Sequence, residues 1–211
     1  MPHILRTAGL LALIATIGIG LVAYTFRVTA PPIQQQEQQQ LLRDFNALIP
    51  KSEYDNNLLS DVTTRREPIT FGTSDTIKIY RARKQNKPVG LFLTATAPDG
   101  YNGAIKLAIG IYANGELAGV RVIAHKETPG LGDKIEIERH PWIEGFKNTS
   151  LKRPPPERWA LKKDGGEFDQ FSGASITPRA VVKAVRKVLD YYAQSKQSLF
   201  SNKGHLMDID P

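Results

Sequence analysis

The sequence predicts an α+β protein: a single N-terminal transmembrane helix, then a domain with a mainly antiparallel sheet and flanking helices. Three observations carry that prediction. Thr7 to Phe26, "TAGLLALIATIGIGLVAYTF", hold 20 consecutive positions without a charge. Between residues 76 and 125, apolar side chains alternate with polar ones in successive runs, the pattern of strands with one buried face. After Pro178 the apolar spacing changes to the helical period. At 211 residues the chain has room for one domain plus additions, since a domain takes roughly 150 residues.

The first element is the anchor. At about 1.5 Å per residue, its apolar run spans about 30 Å, the thickness of a bilayer's hydrocarbon core. A cleaved signal peptide competes with this reading, but its apolar region runs only about 7–15 residues. The nearest small-residue site here, Val28-Thr29-Ala30, is followed by Pro31 and Pro32, and proline after the cut is a poor substrate for a signal peptidase. Residues 1–27 are therefore read as an uncleaved, single-pass anchor with its helix at about 7–26. Arg6 and Arg27 flank it on both sides. The short N-terminal tail and its charge favour an inside N-terminus, with the large C-terminal part carried across the membrane.

Residues 28–50 read as a helical stalk, because Leu41, Leu42, Phe45, Leu48 and Ile49 recur at helical spacing behind a Gln-rich run and Pro50 ends it. Residues 51–75 are polar and irregular, and no element is assigned there. The domain, placed at 51–194, then enters its β region. "TIKIYRARK" alternates Ile77 and Ile79 with Lys78 and Tyr80, and "KPVGLFLTATA" follows with Val89, Leu91 and Leu93. Two further runs flank Asn114-Gly115, a pair that tolerates the positive φ of a type I′ hairpin turn. A Gly/Pro-punctuated loop, "HKETPGLGDKIE", and an aromatic stretch around Trp142 and Phe146 come next. "KRPPP" is a surface connector. "RWALKKDGGEFDQF" reads as one short strand and a turn at Asp164-Gly165-Gly166. The last helix is expected from Pro178 to about Gln194, and 195–211 as a flexible tail.

Composition removes several classes of function. Cysteine is absent, which excludes disulfides, thiolate nucleophiles and cysteine-ligated clusters, so redox chemistry requires a bound organic cofactor. The net charge is +7 and the pI about 9.6. Basic and acidic residues are interspersed up to the last helix, and a domain carried across a membrane rarely meets nucleic acid, so a nucleic-acid partner is not expected. The four histidines, His3, His125, His140 and His205, lack metal-ligand spacing, and no metal is expected. No nucleophile–base pair stands out, and no residue is assigned a catalytic role.

The stretch before the last helix has two readings. Val181, Val182, Val185, Val188, Leu189 and Tyr192 fall on one helical face, with Arg179, Lys183, Arg186, Lys187 and Asp190 on the other. Pro178 suits the first helical position, which makes Thr177 the N-cap. "SGASIT", Ser172 to Thr177, is then only a cap. A helix N-terminus is equally an anion site, where unpaired N–H groups and the positive dipole end meet a ligand. Gly173 and Ala174 let a phosphate approach the backbone. A phosphoester on Thr177 would leave one negative charge at the helix end, and forming it would need a separate enzyme.

Asp169 to Thr177, "DQFSGASIT", resembles the acceptor motif of flavin transferase, which links FMN through its phosphate to threonine. The pattern is aspartate, two variable residues, Ser/Thr-Gly-Ala-Ser/Thr, one variable residue, then the accepting threonine. Every fixed position is filled, with Ser175 where threonine is commoner. "ATAPDGYNGAIKLAIG", "HKETPGLGDKIE" and "WALKKDGGEFDQFSGASITPRAVV" extend the resemblance to the G subunit of the Rnf/Rsx ion-translocating electron transport complex. The likeness covers nearly the whole chain and is weakest over residues 28–75 and the tail. The C subunit of the sodium-pumping NADH:quinone reductase shares two of these motifs.

The resemblance implies a flavoprotein subunit carrying electrons through covalent FMN on Thr177, in a bacterial inner-membrane complex with its domain on the periplasmic side. It would act as a redox subunit, without turnover of its own. Partners would be the other subunits, flavin transferase during maturation, and membrane lipid. Ser172, Gly173, Ala174 and Ser175 would adjoin the phosphate, and Asp169 would be recognised by the transferase. Glu127, Thr128 and Leu131 would contact the isoalloxazine ring, and Tyr101 would stack on it. Lys162, or its neighbour Lys163, would face the phosphate or the reduced flavin. The alternative is an anchored assembly module without a cofactor, for which "SGASIT" caps a helix and does nothing more.

Overall fold

A computed structural model describes residues 2–201. The chain forms two compact units that divide between Arg43 and Asp44. The first is helical. Helix α1 runs from Pro2 to Leu48 without a break, so the expected anchor and stalk are one element. Its segment Pro2–Val28 is long and apolar enough to cross a membrane and is not buried by protein. The end of the expected stalk belongs instead to the second unit: Phe45, Leu48 and Ile49 are buried there.

Among the described residues, one antiparallel sheet forms the second unit's frame, in the order β1 (Val62–Arg65), β2 (Ile77–Lys84), β3 (Lys87–Ala97), β4 (Ile105–Tyr112) and β5 (Leu117–Ala124). Each strand pairs with its sequence neighbour, with Leu93 opposite Ile109 and Ile109 opposite Val120. The period-2 runs thus become strands as expected. The central strands are buried on both faces, so their small residues matter as much as their large ones. On one face Leu48 and Ile49 settle onto Gly90, Gly110 and Gly119, where an added Cβ would meet them at 2.7–3.0 Å. Phe45 stacks on Phe92 beside them (4.6 Å).

The opposite face, with Ile79, Leu91, Leu93, Leu107 and Ile109, carries helix α3 (Ile176–Phe200) and an aromatic layer. All six apolar positions predicted for α3's inner face are buried. Phe146 stacks on Phe168 (4.7 Å) and Trp142 meets Phe171 edge-on (5.2 Å). Burying those rings is worth about 1.5–3 kcal/mol each, which is what holds an otherwise irregular segment against the sheet.

Several local expectations are corrected. The unassigned stretch 51–75 holds β1 and a one-turn helix α2 (Pro68–Phe71). The Asn114-Gly115 hairpin forms, but only Gly115 takes a positive φ (94°). Tyr112 and Glu116 close the loop by a bond of 2.8 Å from Tyr112 N–H to Glu116 O, a type I turn with a glycine bulge in place of type I′. The short strand expected near Trp159 is a single bridge, Leu161 to Phe168, between 3₁₀ turns. Helix α3 continues to Phe200 with Leu199 buried, so residues 195–200 are not a tail. The remainder of the expected tail, residues 202–211, lies outside the described residues.

Candidate functional site

Two loops converge at the start of α3. The first follows β5. His125 Nδ1 accepts from the Glu127 backbone N–H (2.9 Å), and its Nε2 bonds Glu136 (2.6 Å). With the first nitrogen accepting, the second must carry the proton of a neutral ring. Leu131 and Gly132 N–H both donate to Thr128 O (3.1 and 3.0 Å), closing the turn that "ETPGLG" encodes. The second loop leads from the aromatic layer into the helix. Trp142 Nε1 donates to Asp169 O (2.8 Å), Ala174 N–H donates to Phe171 O (3.2 Å), and Gly173 turns the chain with φ 76°.

Helix α3 begins two residues earlier than expected. Ser175 is the N-cap position, without a side-chain capping bond, and Thr177 is the second helical residue. The first intrahelical bond runs from Arg179 N–H to Ser175 O (3.3 Å). Pro178 is tolerated because no N–H in the first turn has an intrahelical partner to lose. Thr177 is therefore free of capping duty. Thr177, 1% exposed as a residue, donates its hydroxyl to Glu127, 5% exposed. Glu127 also accepts from Asn102 N–H through its other oxygen (3.0 Å).

The pair lies in a cleft of about 400 Å³, within the usual range for small-ligand sites. Tyr101, Glu127, Thr128 and Leu131 line one side, and Gly173, Ala174, Ser175 and Thr177 the other. Eight residues singled out from sequence thus come together. Two more complete the lining, Gly132 and Ile176. Gly132 is required by close approach: an added Cβ would stand 2.8 Å from Glu127 Oε2 and 3.0 Å from Thr177 Oγ1. Its place inside the "PGLG" turn was the available signal.

Other expected residues fall elsewhere. Lys162 does not line the cleft and pairs with Asp169 (2.7 Å), both side chains largely exposed. Its neighbour Lys163 is the lysine at the motif, donating to Ser175 Oγ (2.5 Å). Arg179 holds that lysine's turn to α3 through Asp164 (2.9 Å). Ser172 lines an adjacent, larger cleft of about 580 Å³, with His140, Trp142, Phe168, Phe171 and Asp169. Size does not make that cleft the better candidate. The smaller one contains the buried hydroxyl–carboxylate pair, and a buried polar pair must be fully partnered to persist.

The residues present fit FMN. Leu131, Ile176 and Tyr101 keep exposed apolar surface at the mouth for a flat ring, and the first turn of α3 offers N–H groups and the positive dipole end to a phosphate. Among the described residues no three His, Asp or Glu side chains converge as metal ligands.

Comparison with known proteins agrees. Residues 100–190, which contain every residue lining the cleft, match the FMN-binding domain family, and residues 1–48 match the RnfG N-terminal region. The G subunit of the ion-translocating oxidoreductase complex from Vibrio cholerae serotype O1 (strain M66-2) is 47% identical over 196 residues, 92% of this chain and 93% of the relative. The protein of the same name from Shewanella baltica (strain OS223) is 45% identical over 197 residues, 93% of each. That of Pseudomonas aeruginosa (strain UCBPP-PA14) is 45% identical over 197 residues, 93% of this chain and 92% of the relative. With an apolar N-terminal helix of membrane-crossing length in place, the chain is a membrane-anchored member of the family of ion-translocating oxidoreductase complex G subunits.

Proposed function

We propose that this chain carries electrons through an FMN bound covalently, by its phosphate, to Thr177, inside an ion-translocating oxidoreductase complex whose other subunits are its redox partners. The observation that carries the covalent reading is a contrast between two hydroxyls. Ser175 Oγ accepts from the Lys163 ammonium (2.5 Å), which engages one of its lone pairs. Thr177 Oγ1 donates to the Glu127 carboxylate, which leaves its lone pairs available and aims its proton at an acceptor. Of the two, Thr177 is the better nucleophile.

Flavin exchanges one or two electrons, which lets it couple unlike donors and acceptors. The chain's own residues bind and orient it. The start of α3 and Lys163 face the phosphate, while Tyr101, Thr128 and Leu131 meet the ring. We assign Asp44 to Phe200 as the FMN-binding domain and the apolar part of α1 as its anchor in membrane lipid. Asp169, exposed on the "DQFSGASIT" segment, is the residue for flavin transferase to recognise. The positive charge of Arg6 before the apolar run supports a domain on the periplasmic side of a bacterial inner membrane.

Co-expression with flavin transferase tests the covalent claim: a fluorescent band on a denaturing gel is expected, and its absence sinks the claim in favour of a module without cofactor. Because the chain lacks cysteine, a single cysteine placed at exposed Glu157 is a unique topology probe. It should react with a membrane-impermeant thiol reagent in intact spheroplasts. Protection until lysis would reverse the assigned orientation.

A further inference from the structure

We propose that Glu127 is a catalytic residue in this protein's own maturation, taking the Thr177 proton as the flavin phosphoester forms. The inference rests on the reading of Thr177 as the attachment site and adds to it a source for the hydroxyl's reactivity.

A threonine hydroxyl is a weak nucleophile at neutral pH and needs a positioned base. Geometry is the first criterion for such a base: it must lie within hydrogen-bond reach of the proton it removes. Glu127 meets it, since its Oε2 accepts the Thr177 hydroxyl proton inside the cleft. The carboxylate is not free to turn away. Its other oxygen is held by Asn102 N–H (3.0 Å), its backbone N–H by His125 Nδ1 (2.9 Å), and Gly132 packs against both it and Thr177 with no room for a Cβ. Burial of both partners strengthens the interaction relative to one in water.

The balanced step needs an activated donor, because displacing hydroxide from free FMN phosphate is unfavourable. A flavin dinucleotide, FMN joined by a phosphoanhydride to a nucleoside monophosphate, meets the need when presented by the transferase. Thr177 Oγ1 forms a bond to the FMN phosphorus. The phosphoanhydride P–O bond breaks, and the nucleoside monophosphate departs with its electron pair. The Thr177 proton passes to Glu127 and from there to solvent. No electron is exchanged with an oxidant or reductant. Esterified Thr177 then has no proton to donate, and Glu127 Oε2 is released toward whatever occupies the cleft.

Glu127→Gln separates chemistry from packing. The amide keeps the side chain's size, accepts from Asn102 N–H through oxygen and presents an NH₂ to Thr177, so heavy atoms stay in place while the base is lost. Full-length chain in detergent, incubated with transferase and flavin dinucleotide, would be followed by in-gel fluorescence and by the mass of the Thr177 peptide. A general base contributes about 10²–10⁴-fold, so the variant should label at least about 10²-fold more slowly near neutral pH.

The rate ratio of parent to variant, measured across acidic pH, is the decisive readout. Protonated Glu127 can no longer act as a base, so the ratio should fall toward one as pH falls. The transferase's own titration cancels in the ratio. The other titratable and charged groups around Glu127 are present in both proteins: Tyr101 on the same side of the cleft, His125 with Glu136 behind the loop, Asp133 with Arg139 beside it, and Lys163 on Ser175. Equal labelling rates, or a ratio independent of pH, overturn the assignment; the second outcome would make Glu127 a positioning residue only. A label found on Ser175 in the parent instead overturns the underlying reading of the site, and the base assignment with it.

Discussion

At the C-terminal end of α3, arginine side chains from the first two strands reach the helix's last carbonyls, whereas at its N-terminal end the N-cap residue, Ser175, makes no side-chain capping bond. Arg65, Arg83 and Arg81 donate to Ser198 O (3.4 Å), Phe200 O (2.9 Å) and Ser201 O (2.7 Å). Asp61 in turn holds Arg81 and Arg83 at 2.5 and 2.7 Å. A helix leaves unpaired groups at both ends, so the asymmetry lies in what the fold supplies. One end is satisfied by the protein itself. The other places the hydroxyls of Ser175 and Thr177 in the lining of a cleft, beside the Glu127 carboxylate from the loop after β5. On the proposed reading, stability and function are therefore written at opposite ends of one element.

The sharpest way to break that comparison is to exchange consequences between the ends. Thr177→Ala should abolish the fluorescent band entirely while costing only about 1–3 kcal/mol of stability, the range for one lost partner of a buried polar group. Ser175→Ala should retain the band. The reverse pattern would move the attachment point and leave the Thr177–Glu127 bond as ordinary packing. At the other end Asp61→Ala leaves two largely buried guanidinium groups without their carboxylate. Breaking a buried pair in this way costs about 3–5 kcal/mol, read by urea unfolding, yet molecules that remain folded should label at the parent rate. A variant that unfolds no more readily would show that the arginines hold the helix end without Asp61.

How much of this could be read from sequence also differs between frame and site. Strands β2 to β5 and the buried face of α3 follow from simple periods, 2 and 3.6, which burial imposes on any chain. What failed were decisions between near-equal local options. Pro178 fits any position in a first turn, and choosing the first one shifted the helix start and made Thr177 a cap. Asn114-Gly115 fits two hairpin geometries, and the bond from Tyr112 N–H to Glu116 O selects between them. The turn at Gln85-Asn86, with φ 48° and 62°, went unmarked because glutamine is not a residue type associated with that conformation. At the site, resemblance gathered residues 50 positions apart, Glu127 and Thr177, that no periodicity connects. It could not choose between Lys162 and Lys163, because adjacent residues in a 3₁₀ turn point in different directions, and only packing decides which one meets Ser175.

The smallest expected effect lies between the two ends and asks whether the helix's middle belongs to the structural half. Tyr192 is buried, and its hydroxyl donates to Tyr112 O (3.2 Å) and Ala113 O (3.1 Å) in the β4–β5 hairpin. Burial pushes its pKa up to about 12 from the ordinary 10.0. Between those values the folded chain keeps a proton that the unfolded chain has lost. Folded molecules then bind more protons than unfolded ones, so stability falls as pH rises through this window. The shift corresponds to about 2–3 kcal/mol, fully present below the unfolded pKa and gone above the folded one. Tyr192→Phe removes this titration. The parent should therefore lose about that amount of unfolding free energy relative to the variant between pH 10 and 12, while raised pKa values at Tyr54, Tyr80 and Tyr112 act on both and cancel. A constant difference would mean that the phenol reaches water in the folded state, and that the hairpin does not anchor the middle of α3. If that relative loss is found, and labelling at the N-terminus is unchanged below pH 10 in the Phe variant, the division of α3 holds along its length, with dependence on a ligand confined to its first turn.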